Sequence, residues 1–236
     1  MNILGVVPAR AGSRRIPNKN MRLLGGKPLL EYSVAALRES GVCSHILIAT
    51  DTLDVTAIAD RYNAGIFRRV IAGDDQPDIV WVRELVNSFA FALPDALIIA
   101  RPTSPFRGGE TITHAWERFQ ADQPADSLRA VREVREHPGK MWRRQRDRIE
   151  PLLSGWITGV EPSHYTPWHS APTQILPAVF VQTGGLEIVW TKTIRETETL
   201  AGSNIIGFEL NGDEALDINT EEDWESAERA LMFNVV

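Results

Sequence analysis

The amino-acid sequence predicts an α/β protein whose mostly parallel sheet is flanked by helices, and three observations predict it. Short apolar runs, of the kind that make strands buried on both faces, alternate with helically periodic stretches through the first half of the chain. A basic loop of small residues follows the first of these runs, where parallel α/β sheets place ligand-binding turns. The composition, 43% apolar and 24% charged over 236 residues, suits a globular chain with a substantial core.

Taken in order, Ile3 to Pro8 is an apolar run of buried-strand type. Pro28 to Ser40 has helical spacing, with Leu29, Leu30, Tyr32, Ser33, Ala36 and Leu37 before a Gly41 stop, and Pro28 suits a helix start because its φ is already fixed. His45 to Thr50 is the next strand, Leu53 to Tyr62 and Ile79 to Leu93 are helices, Asp95 to Ala100 is a third strand, and Gly108 to Phe119 is a helix. Such alternation gives a parallel sheet covered on both faces.

The second half changes character. Ser127 to Val134, Ala178 to Gln182 and Leu186 to Trp190 read as strands, separated by an irregular Pro- and Trp-rich region that holds Trp142, Trp156 and Trp168. Large aromatics on such an excursion need a surface to cover them, which points to a subunit contact. Ile205 to Leu210 is a late strand and Thr220 to Leu231 a closing helix. Thr220-Glu221-Glu222-Asp223 resembles a capping box, with Trp224, Ala227 and Leu231 on the inward stripe. The chain is expected to be one domain, 1–236, carrying an excursion within 137–190.

Net charge is −6, which lacks the basic balance of a protein held to nucleic acid by phosphate neutralisation, so no nucleic-acid partner is expected. The most apolar stretch, Phe89 to Ala100, is broken by Pro94 and Asp95 and is too short to span a bilayer. Cys43 is the one cysteine and has no internal partner, and no secretory leader is visible; a cytoplasmic protein is expected.

The charge is unevenly placed. Arg10 to Lys27 holds six basic residues and no acidic one, whereas Glu196 to Glu228 holds eleven acidic residues and no Lys or Arg. The basic stretch begins Ala9-Arg10-Ala11-Gly12-Ser13 and continues through Lys19-Asn20. It is neither a Walker A loop, because Pro28 stands where Ser or Thr should ligate magnesium, nor a GxGxxG turn. Small residues let backbone N–H groups approach a ligand, and Arg and Lys supply charge, so a polyphosphate is the expected ligand. Histidines and serines offer no catalytic triad, and no His/Cys pair has zinc spacing.

Several motifs in chain order resemble the acylneuraminate cytidylyltransferases, the CMP-sialic acid synthetases. They are Pro8 to Ser13 with Asn18-Lys19-Asn20, Gly26-Lys27-Pro28-Leu29, Thr50-Asp51, Pro102-Thr103-Ser104-Pro105-Phe106-Arg107, His137-Pro138-Gly139-Lys140, and Asp217-Ile218-Asn219-Thr220 with Asp223-Trp224. The resemblance implies a Rossmann-like, glycosyltransferase-A-like nucleotidyltransferase with a β-rich dimerisation excursion. It implies an enzyme that joins CTP to an acidic nine-carbon sugar with Mg²⁺ and releases pyrophosphate. It further implies that Arg10 and Lys19 hold the triphosphate with Asn20 near the nucleotide, that Asp217 binds magnesium, and that Arg101, Thr103, Ser104, Lys140 and Gln174 face the acceptor. A homodimer is expected on the same ground.

Departures from the family pattern gather on the acceptor side. Arg101 replaces a common Gln, Thr173 a common Arg and Thr183 a common Asn; Asn219 stands where many members have a second Asp, and its amide oxygen can still ligate the metal. Asp74-Asp75-Gln76-Pro77-Asp78 replaces a Ser- or Thr-rich stretch near the base. Arg101 is expected to take an acidic group of the acceptor, a guanidinium being suited to a bidentate carboxylate, against the alternative of an ion pair with a nearby Asp. Octulosonic acids, sugar 1-phosphates, phosphonates, another nucleotide, or a catalytically weak nucleotide-binding protein remain open.

Overall fold

The computed structural model describes residues 1–69, 76–89, 92–122, 124–155 and 166–233. Asp74, Asp75, Trp156 and His164 lie outside the described residues. The chain divides into two compact units, 1–131 with 182–236, and 132–181.

The first unit is built on a seven-stranded sheet. Its strands are β1 (Ile3–Ala9), β4 (His45–Thr50), β5 (Gly65–Arg68), β6 (Ala96–Ile99), β7 (Ser127–Glu133), β10 (Phe180–Trp190) and β11 (Ile205–Glu209). A two-strand ribbon, β2 (Leu23–Leu24) and β3 (Lys27–Pro28), and a hairpin, β8 (Trp142–Gln145) and β9 (Arg148–Pro151), complete the strands. The helices are α1 (Leu29–Glu39), α2 (Thr56–Arg61), α3 (Asp78–Ser88), α4 (Gly109–Ala121), α5 (Thr191–Thr197) and α6 (Glu221–Phe233). The sheet order is β11-β7-β10-β6-β1-β4-β5. β1 pairs in parallel with β4 and β6, β4 with β5, and β7 with β11, while β10 runs antiparallel to β6.

The strands are apolar on both faces because both faces are covered. In β1, Ile3 and Val7 join the cluster with Leu30, Val34 and Leu37 of α1 and Phe119 of α4. Leu4 and Val6 point the other way, to Trp81, Val82 and Leu85 of α3 and Ile194 of α5. Each fully buried Leu or Ile contributes about 1.5–3 kcal/mol. Cys43 is half-buried against the first cluster, and burial pushes its thiol up to about 12.

A third cluster, Ile16, Leu24, Leu29, Ile218, Trp224 and Ala227, ties the basic loop to the closing helix. The ribbon that ends this loop turns through Gly25 and Gly26 at φ 55° and 83°, a two-residue turn that needs the left-handed region at both positions. The capping box at α6 forms: Asp223 N donates to Thr220 Oγ1 at 3.2 Å and Thr220 N to Asp223 Oδ2 at 2.8 Å.

Several boundaries differ from expectation. The two strands expected at 178–182 and 186–190 are one strand of 11 residues, because Thr183-Gly184-Gly185 stays extended. α2 begins at Thr56 rather than Leu53 and α3 ends at Ser88 rather than Leu93. The segment 137–190 divides: 132–181 forms the second unit and 182–190 completes a strand of the first.

Within the second unit, His137 is packed rather than presented. Its Nδ1 accepts from Gly139 N at 2.9 Å, its Nε2 meets Pro177 O at 3.1 Å, and its ring stacks on Trp168. Among the described residues no helix is long and apolar enough to cross a membrane.

Candidate active site

The carboxyl ends of β1, β4 and β6 meet at one edge of the sheet, with Ala9 beside Thr50. The basic loop leaves β1 there and is fixed at several points. Ala11 N donates to Asp51 Oδ1 at 2.7 Å, Asn20 Nδ2 donates to Arg10 O at 2.9 Å, and Ile16 is fully buried on Ile218 and Trp224. Between these anchors Arg10, Ala11 and Gly12 are exposed, and Ser13 folds back so that its N–H donates to Ala11 O at 3.0 Å. Ala9 is buried as the last residue of the strand. Asn20 therefore shapes the loop by binding its backbone.

Lys19 crosses from this loop to the turn before α6, where its Nζ donates to Ile218 O at 2.8 Å. Burial pulls its amine below the ordinary lysine value; Asp217 and Asp223 pull it back up, and Arg15 and Arg10 push it down again. The turn itself is held from below. Ile218 N donates to Thr103 O at 2.8 Å, and Asp223 Oδ2 accepts from Asn219 N and Thr220 N at 2.9 and 2.8 Å. Burial would raise the Asp223 carboxyl, but these backbone bonds hold it below the usual range.

Asn219 Nδ2 donates to Asp217 Oδ2 at 2.8 Å, which orients that carboxylate. The other oxygen, Asp217 Oδ1, is buried with no hydrogen-bond partner. A carboxylate oxygen in that condition is set up for a cation or a ligand donor. Gly184 of β10 lies directly beside it. A methyl group placed on Gly184 would stand 3.1 Å from Thr103 Oγ1, 3.3 Å from Asp217 Oδ1 and 3.5 Å from Arg101 Cδ. The structure thus brings Arg101, Thr103 and Asp217 together around one bare glycine.

Arg101 is not a free cation. Its Nη1 is paired with Glu187 and its Nη2 with Asp78, so it meets the ion-paired alternative to the open clamp that the sequence suggested. Glu187 is 1% exposed and also pairs with Arg129. Burial and the neighbouring Arg101 hold the Arg129 guanidinium down to about 10. Asp78 accepts from Trp81 Nε1 at 2.7 Å, and Arg69 lies over the Trp81 ring at 4.7 Å. Burial would raise the Asp78 carboxyl, but Arg101, Trp81 and Arg69 together hold it below the ordinary range.

Ser104 is 1% exposed and lies under Gly185, so its hydroxyl is part of the packing behind the site. Arg107 is equally buried, its guanidinium bonded to Gly185 O and to Ser33 Oγ, which makes it a strut between β10 and α1. Lys140 and Gln174 belong to the second unit. There the Lys140 amine is taken by His169 O and Ala171 O, and Gln174 is exposed on a short turn.

Sequence reasoning missed the parts played by Glu187, Arg129, Arg69 and Arg107. Glu187 did leave a signal, a carboxylate inside the apolar run Leu186 to Trp190. A charge in a strand buried on both faces needs a partner.

A family model described as cytidylyltransferase matches residues 4–139. The CMP-N,N'-diacetyllegionaminic acid synthase of Legionella pneumophila is 30% identical over 240 residues, 99% of this chain and 98% of that one. Among solved structures, CMP:2-keto-3-deoxy-manno-octonic acid synthetase complexed with CTP superposes with a TM-score of 0.67 at 13% identity, covering 100% of both chains. A 4-diphosphocytidyl-2C-methyl-D-erythritol synthase from Anaerococcus prevotii gives 0.66 at 12% identity over 98% of each chain. At those identities the two structures show the fold, a cytidylyltransferase sheet. With the family model covering more than half of the chain and a relative matched from end to end, the chain belongs to the cytidylyltransferase family.

Proposed function

We propose that this enzyme joins CTP to an acidic, sialic-acid-like sugar, giving a CMP-sugar and pyrophosphate. The observation that carries this reading is the meeting of the basic loop and the Asp217 turn through Lys19, with Asp217 Oδ1 buried and unpartnered beside Gly184. The end-to-end relative, a CMP-N,N'-diacetyllegionaminic acid synthase, supports the substrate class.

A magnesium ion fits the Asp217 turn. Among the described residues no group of three or more His, Cys, Asp or Glu could hold a metal. A hard cation needs only one or two carboxylates when phosphate oxygens and water complete its shell. Asp217 Oδ1 is the protein ligand on offer. Asn219, expected as a second ligand through its amide oxygen, donates its amide N–H to Asp217 and so orients that carboxylate. When bound, the ion supplies Lewis-acid stabilisation of phosphate charge.

In the reaction the sugar's anomeric hydroxyl oxygen forms a bond to the α-phosphorus and releases its proton to solvent. The bond from that phosphorus to the bridging oxygen breaks, and pyrophosphate leaves with the electron pair. Negative charge grows on the departing group, and Arg10 and Lys19 lie on the loop that would hold it; preorganised cations there act on the transition state rather than on free CTP. Thr103 and Arg101, gathered with Asp217 around Gly184, would lie on the acceptor side.

We further propose a cytoplasmic homodimer. The second unit displays Trp142, Ile149 and Phe180 at 45%, 60% and 45% exposure, and large apolar side chains left exposed in this way fit coverage by a second copy.

Pyrophosphate release measured across CTP, UTP, GTP and ATP against N,N'-diacetyllegionaminate, N-acetylneuraminate, 3-deoxy-octulosonate and a sugar 1-phosphate tests the reading. Turnover is expected with CTP and at least one ulosonic acid and should stop when magnesium is chelated. Preference for the sugar phosphate, or no turnover with any acid, overturns it.

A further inference from the structure

The Arg101 guanidinium is held differently on its two sides. On one side Glu187, 2% exposed at its side chain, sits between Arg101 and Arg129; withdrawing from either would strand a buried charge. On the other side Asp78 is 34% exposed and Arg101 23%, so that pair is partly screened by solvent. Asp78 also has other support when released. It opens helix α3, whose N-terminus favours a carboxylate, it accepts from Trp81 Nε1, and the Arg69 guanidinium acts on it electrostatically. The Glu187 side is therefore an anchor and the Asp78 side can exchange.

The exchangeable side belongs to the same side chain whose Cδ packs beside Gly184, close to Thr103 Oγ1 and Asp217 Oδ1. An acidic ligand that reaches the partly exposed Arg101–Asp78 pair meets a guanidinium already oriented by Glu187, with one arm occupied by a carboxylate that the protein itself supplies. Resting on the functional reading above, we propose that Asp78 is an internal stand-in for the acceptor's carboxylate. It occupies Arg101 until an acidic acceptor displaces it, and Arg101, anchored on Glu187, then recognises the acid.

Two consequences follow from charge and shape. While the site is empty, Arg101 and Arg129 are balanced by Glu187 and Asp78, so the cations do not repel each other unopposed. An acceptor without a carboxylate cannot displace Asp78 and meets a filled site, so selection for acids arises from competition as well as from attraction. Lysine at position 101 would keep the charge but lose the fork that reaches two carboxylates.

The experiment compares wild type, Asp78→Asn and Arg101→Lys at saturating CTP, reading KM for N,N'-diacetyllegionaminate, N-acetylneuraminate and 3-deoxy-octulosonate and for the methyl ester of each. Asparagine keeps an oxygen for Trp81 and removes the competing charge. Asp78→Asn is expected to lower the KM of the accepted acid, read at saturating CTP, at least threefold. Arg101→Lys should raise the acid's KM at least tenfold and erase the preference for acid over ester. A rise in KM for Asp78→Asn makes Asp78 a strut and overturns the inference, as does an unchanged value. Should Asp78→Asn not fold, a full acid preference retained by Arg101→Lys overturns it alone. Wild-type turnover with unresponsive variants defeats only this inference; no wild-type turnover with any acid defeats the functional reading and this inference together.

Discussion

Gly184 shows how much can depend on a missing side chain. Its backbone is ordinary extended strand, so alanine is tolerated conformationally, yet the added methyl would press on Thr103, Asp217 and Arg101 at 3.1 to 3.5 Å. Gly184→Ala is therefore expected to raise the acceptor KM about tenfold or more, the scale of roughly 1.4 kcal/mol, with the thermal midpoint nearly unchanged. Steady-state kinetics and a thermal melt check this; a lowered midpoint would place the defect in the fold. The same glycine shows why part of the site was hidden in the sequence. Thr183-Gly184-Gly185 read as a break between two strands, whereas glycine is there because other side chains crowd its face. Arg101, Glu187 and Asp78 are likewise separated by 86 and 23 residues, and no local pattern reports a contact at that range.

Helix α6 and the loop after β1 work as one element. Trp224 is buried with Ile16 and Ile218, the Arg22 guanidinium lies 4.2 Å from the Trp224 ring, and Arg22 Nη1 bonds both carboxylate oxygens of Glu221. The Thr220 and Asp223 cap both starts the helix and fastens the backbone of Asn219, two residues from Asp217. Thr220→Ala should cost about 1 kcal/mol in chemical denaturation, the usual worth of an N-cap, and should raise the magnesium concentration needed for half-maximal rate. A stability loss with no change in magnesium dependence would separate the cap from the site. This element was legible in advance, because the capping pattern, the inward stripe and the run of cations are local. Strand β5 and the β8–β9 hairpin were not. β5 has four residues ending in Arg68, and the hairpin carries Arg143, Arg144, Arg148 and Glu150, so neither has the apolar signature of a buried strand.

For the molecule as a whole, the expected fold class holds because its main strands are apolar on both faces, a property composition and periodicity transmit directly. The net charge of −6 conveys less, since it averages a cationic loop with an acidic final quarter. Assembly is open to direct measurement. Light scattering at micromolar concentration is expected to give twice the chain mass of 26.3 kDa, and the double substitution of Ile149 and Phe180 by Glu should give the monomer. A wild type that stays monomeric across concentration would leave that apolar surface without its assigned partner. Cys43 offers one practical opportunity. It is the single thiol of 236 residues, half-buried against the β1 and α1 cluster, with its ionisation pushed up to about 12. The thiolate is the reactive form. An alkylating reagent would therefore mark one atom, at a rate governed by how often the core beside the first strand opens. The chain carries its own reporter of local breathing, readable by mass spectrometry without any introduced label.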